Sequence, residues 1–233
     1  KNSTPPTRRT ILAISIPYAA LIMTHTPMMF ISTLYAAPLA FFAPLFYTTG
    51  TLHSQHRWQE IFYRWVMIFV GFVLGIGLAA IFLFPTLLEL PYVTIASGID
   101  ETVNYLQEQF LPPTEIFALP RLIDQTDLYL DLPRTLGLVG GLLSVLGGFA
   151  LVRERRFALL TLLATGLGFT VYMLLAVSFE AWLTIPAFAN LRFPARLLRI
   201  GAVLIALLGG ASLLLLPERY RVAGMVAGLL IVF

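Results

Sequence analysis

Cysteine is absent, which removes disulfides, thiolate nucleophiles and Cys-ligated metal or iron–sulfur sites, and leaves the compartment open. Charge is scarce. Asp, Glu, Lys and Arg make up 12% of the 233 residues, against 58% hydrophobic residues and a mean hydropathy of +0.86. A soluble domain carries about twice that share of charge, so a water-soluble globule is excluded and an integral membrane protein is expected. No repeat of fixed period is visible, and no secretory n-region, h-region and cleavage pattern opens the chain. Lys1 stands where an initiator Met would be, and Phe233 falls inside an apolar run. The expectation is a piece of a longer polytopic protein. The net charge of +3 and pI near 9.4 do not point to nucleic acid, because the basic residues flank apolar runs and act as topology signals.

What is present is apolar runs of membrane-spanning length, interrupted by one long polar island from Pro85 to Arg134. That island holds Glu89, Asp100, Glu101, Glu108, Glu115, Asp124, Asp127 and Asp131 against Arg121 and Arg134. It is expected to be a water-exposed loop with short helices of its own. The fold class expected is all-α, a polytopic transmembrane helix bundle of about six to seven spans, with residues 1–233 forming one bundle and 85–134 an extracytoplasmic segment within it.

In chain order, Pro5-Pro6 and Arg8-Arg9 mark a cytoplasmic linker. The run Ile11 to Tyr47 would be about 55 Å long as one helix, too long for a hydrocarbon core of about 30 Å. It is expected to break at Thr24-His25-Thr26-Pro27, with Thr26 as N-cap and Pro27 as first helical residue, giving helices near 11–24 and 27–47. Residues 48–64 read as a polar connection with Trp58 and Trp65 as interface anchors. His53 and His56 in it have the spacing of one helix face, but no second ligand pair accompanies them and no metal site is expected. A third span, 66–84, ends at Pro85, with Gly71, Gly75 and Gly77 set for tight helix contact. A fourth span (135–152) is rich in glycine and closes on the basic turn Arg153-Glu154-Arg155-Arg156. A fifth (157–178), a sixth (197–216) and the start of a seventh follow.

Placing these linkers on alternating sides puts ten of the 15 Lys and Arg on one side and five on the other. By the positive-inside rule the side holding the N-terminus, the 48–64 connection, the Arg153 turn and the Arg219 turn is cytoplasmic. His25, the acidic island, Glu180, Arg192 and Arg196 then share the opposite face, where a cleft between loops and span ends is the expected site. Phe193-Pro194 starts the sixth helix with Arg196 in its first turn. Guanidinium groups there suit a phosphate, or else pair with Glu180 or lipid headgroups. The candidate substrate-binding residues are His25, Glu89, Arg192 and Arg196.

The segments LIMTHTP at the helix break, IFLFPTLLELPYV at the end of the third span and LRFPARLL before the sixth carry a resemblance. The chain resembles the large bacterial membrane proteins related to 6-pyruvoyl-tetrahydropterin synthase, which are similar to polytopic GT-C-type glycosyltransferases. Their pattern of a His after an early span, a Pro…Glu pair and a Pro-Arg pair corresponds here to His25, Pro85 with Glu89, and Pro194 with Arg196. Ala195 stands where an aromatic is commoner. The resemblance implies transfer of a sugar from a polyprenyl-phosphate donor on the extracytoplasmic face of a bacterial cell membrane. It also implies a catalytic carboxylate in a first external loop lying upstream of these residues, and leaves the cofactor undetermined. Membrane lipids are the expected surroundings. The rival readings are a non-catalytic scaffold among other membrane subunits, contacting pigments or lipids, and a transporter built on the broken helix at His25-Thr26-Pro27.

Overall fold

The computed structural model describes residues 8–24, 26–47, 54–89, 106–119, 134–185, 188, 194–220 and 224. Among the described residues the chain is all-helical, with no strand. It divides into two compact units, Lys1–Ser97 and Gly98–Phe233. Three helical stretches are long and apolar enough to cross a membrane: Trp58–Leu78, Phe157–Leu174 and Pro194–Leu215. Their exposed faces carry Phe62, Phe69, Phe157, Phe169 and Val203, which suits contact with lipid rather than water. The protein is integral to a membrane.

The first unit contains α1 (Arg8–Thr24), α2 (Thr26–Tyr47), α3 (Ser54–Leu78) and α4 (Ala80–Glu89). The break expected at Thr24–Pro27 separates α1 from α2. Helices α1 and α3 approach closely over Gly71 and Gly75, four residues apart. A Cβ on Gly71 would stand 2.9 Å from the Ile14 Cβ, and one on Gly75 would stand 3.0 Å from the Ser15 carbonyl. Gly77, by contrast, faces open space. Tyr18 bridges α1 and α2. The Thr33 hydroxyl donates to the Met29 carbonyl at 2.7 Å, so the Tyr18 hydroxyl is the donor in its 2.9 Å bond to Thr33 Oγ1.

Several boundaries differ from the sequence expectation: Thr26, expected as N-cap, is the first residue of α2, and the helix expected over 157–178 ends at Leu174. Helix α3 begins at Ser54, inside the segment read as a polar connection, because Glu60 and Arg64 pair at i, i+4 with an N–O distance of 2.7 Å and support helix there. The helix then breaks at Ala79 rather than at Pro85, which lies inside α4. The bonds Ala79 N–H to Gly75 O (3.1 Å) and Leu83 N–H to Ala79 O (3.0 Å) still run across the break, so the discontinuity is one residue wide, and Pro85, whose ring meets the Ile81 carbonyl, does not account for it. Ala79 is fully buried against Ala19 and Ile22, so the break is packed as core.

The second unit is built on α6 (Leu138–Arg153), α7 (Phe157–Leu174) and α9 (Leu198–Ala211), the last extended by 3-10 turns at Pro194–Leu197 and Ser212–Leu215. Helices α6 and α9 run parallel. Gly140 packs on Ile205, Gly209 on Leu143, and a Cβ on Gly147 would overlap the Leu208 carbonyl. Ser144 donates to the Gly140 carbonyl within its own helix and to the Ile205 carbonyl across the interface. Helix α7 runs the other way, with Thr170 packed at Gly201.

The turn between α6 and α7 is closed by Arg155 N–H to Val152 O (2.9 Å) and Arg156 N–H to Leu151 O (2.8 Å). This Schellman pattern puts Arg155 at φ 53°, in the left-handed region where glycine is usual. An L side chain there costs about 1 kcal/mol or more.

Candidate functional site

At the end of the second unit opposite that turn, part of the acidic island folds onto the bundle. Residues 106–119, with the short helix α5 (Pro113–Ile116), bury Leu106, Gln109, Leu111 and Ile116. Two backbone bonds fix the segment: Leu111 N–H to Leu174 O (2.9 Å) and Leu136 N–H to Ile116 O (2.7 Å). The Thr135 hydroxyl adds contacts to the Ile116 and Ala118 carbonyls at 3.0 and 3.2 Å. Buried Gln109 accepts from Arg134 Nη1 at 3.0 Å. This part of the island thus packs on the end of the bundle, while residues 90–105 and 120–133 of it lie outside the described residues.

Below this segment lies a buried aromatic group centred on Trp182, in α8 (Phe179–Thr184). Its ring lies 6.4 Å from Phe110 and 5.3 Å from Phe188. The Trp182 indole N–H donates to the Met173 carbonyl at 3.1 Å, while the Ser178 hydroxyl, 3.2 Å from the same oxygen, donates at 2.8 Å to the Leu175 carbonyl. Each serves a carbonyl left over where α7 ends. Sequence reasoning passed over this aromatic group; its signal was a Trp two residues beyond the lone Glu180 in an otherwise apolar stretch.

Arg196 sits at the same end, in the 3-10 turn Pro194–Leu197 that opens α9. Pro194 and Leu197 are buried on either side of it, which fixes the turn, while Arg196 itself is half-buried and engaged with other protein groups. Glu180 is exposed and, among the described residues, makes no ion pair, so the expected alternative of an Arg196–Glu180 pair is not formed. Arg199, one turn into the helix, is exposed.

Of the other candidate residues, Glu89 is the last residue of α4 in the first unit. His25 and Arg192, and with them His53, lie outside the described residues. In neither the His25–Glu89 nor the Arg192–Arg196 pair are both members described, so Arg196 is the candidate whose surroundings are built here. Among the described residues no three His, Asp or Glu side chains stand together as a metal site would require. Comparison with protein-family models, with curated proteins and with solved structures gave no match.

Proposed function

We propose that this chain is the membrane-embedded part of a bacterial GT-C-like glycosyltransferase that moves a sugar from a polyprenyl-phosphate donor on the extracytoplasmic face. The observation that carries the reading is Arg196, held half-buried in a fixed turn at the start of an apolar helix, beside a folded polar segment. A guanidinium at that depth suits a lipid-borne phosphate. Its fork of donors matches phosphate oxygens. On this reading Arg192 supports Arg196 at the donor phosphate. The three span-length stretches and the shorter apolar helices Arg9–Thr24, Met29–Leu45 and Leu138–Arg153 then make six crossings, with a seventh beginning near Gly224 and the N-terminus cytoplasmic.

The test is saturable binding of a short-chain polyprenyl-phosphate sugar to the purified protein. Arg196→Lys keeps the charge and loses the bidentate fork, so donor affinity is expected to fall about tenfold. Unchanged affinity in Arg196→Lys, or no saturable donor binding at all, would put the scaffold reading ahead.

A further inference from the structure

The opposite end of the second unit, which the transferase reading does not use, carries Arg153, Arg155 and Arg156 on the turn between α6 and α7. All three are exposed and, among the described residues, their side chains form no ion pair or hydrogen bond. Helix α6 also packs against the Ser212–Leu215 turn, so the 216–220 segment emerges at this same end. There Arg219 lies 4.7 Å over the ring of exposed Tyr220. The opposing charges here are Glu154, exposed beside the arginines, and Glu218, which is engaged with other groups. Directly next to the basic turn the bundle shows an apolar rim of Phe149, Val152 and Phe157, each roughly half exposed.

Two independent features point to a ligand. The arginines stand at the level where an apolar, lipid-facing surface gives way to polar chain, the depth of phospholipid phosphates. The turn also keeps Arg155 in a left-handed conformation at the Schellman position where glycine would be unstrained. An arginine thus occupies this position at a local conformational cost, and the two backbone bonds of the motif fix the turn that carries the three arginines.

We infer that this turn, with Arg219, is a binding site for the phosphate headgroups of anionic phospholipids in the adjoining leaflet. The inference rests on membrane integration and is independent of the sugar-transfer reading. The test uses the full chain in detergent micelles, titrated with phosphatidylglycerol and separately with phosphatidylcholine. Bound lipid is counted by native mass spectrometry and the melting temperature is followed in parallel. The wild-type protein is expected to bind phosphatidylglycerol in preference, with a rise in melting temperature that phosphatidylcholine does not give. Each arginine removed should weaken phosphatidylglycerol binding about fivefold.

Arg155→Gly separates folding from binding. It should melt at the same or a higher temperature without lipid, because the strain is relieved, and still show weaker phosphatidylglycerol binding. In the triple variant Arg153→Gln, Arg155→Gly, Arg156→Gln the preference should vanish. A wild-type preference retained in Arg155→Gly and the triple variant would overturn the site. A melting-temperature rise reproduced by inorganic phosphate alone would replace the lipid surface with a small-anion site.

Discussion

At Gly147 a single added methyl group meets a backbone oxygen. The Leu208 carbonyl lies where the new Cβ would go, and backbone cannot swing aside as a side chain can. Gly147→Ala is therefore expected to destabilise the second unit by about 2–3 kcal/mol through forced separation of α6 and α9. Gly168→Ala in α7, where the added methyl meets open space, should be neutral or stabilise by up to about 1 kcal/mol. Unfolding of the two variants in mixed micelles measures the contrast. The Met173 carbonyl offers a subtler case: the Trp182 indole N–H is its main side-chain donor, because Ser178 gives its one hydroxyl hydrogen chiefly to the Leu175 carbonyl at 2.8 Å. Trp182→Phe should therefore cost about 1–2 kcal/mol in unfolding, more than Ser178→Ala.

The elements were legible where local chemistry decides them. Thr24-His25-Thr26-Pro27 announced a break that separates α1 from α2, and Gly71 and Gly75 announced a tight helix contact, whose partner the structure gives as α1. Gly77 was not separable from them by sequence, since a glycine two residues from a packed one looks the same until the helix phase is known. Phase puts it on the open side. The same difference predicts that Gly75→Val disrupts α1–α3 packing while Gly77→Val folds normally, which a disulfide trap between introduced cysteines on the two helices would report. The position of the third break was missed because the helix carries on through Pro85 to Glu89, while its discontinuity falls at Ala79, where no proline or glycine marks it. The Trp182 group escaped notice because Phe110 lies far from Trp182 in sequence, and Phe188, though near, stands beyond the end of the helix that carries Trp182. Of the candidate site, the turn holding Arg196 was legible from Phe193-Pro194, but its engagement with neighbours other than Glu180 depends on tertiary contacts that no spacing encodes.

Across the second unit as a whole, the basic turn and the folded 106–119 segment occupy opposite ends, so orientation can be read from two labels. The native chain has no cysteine, and both Thr114 and Glu154 are exposed. Thr114→Cys and Glu154→Cys are expected to react with an impermeant thiol reagent from opposite sides of intact cells or spheroplasts, Glu154→Cys from the cytoplasm; labelling from one side alone would undo the alternation of spans. The three helices of this unit also differ in reach. Helix α6 has 16 residues, about 24 Å. The α9 element, lengthened by 3-10 turns at both ends, has 22 residues and spans about 37 Å. Against a hydrocarbon core of about 30 Å, one flank of the unit is too short and another too long. On the proposed reading, in which α6 also crosses, the bilayer beside α6 is expected to thin while the longer α9 element tilts, a built-in hydrophobic mismatch. The protein should be more stable in short-chain than in long-chain phosphatidylcholine, and within a heterogeneous membrane it should collect where the bilayer is thinnest.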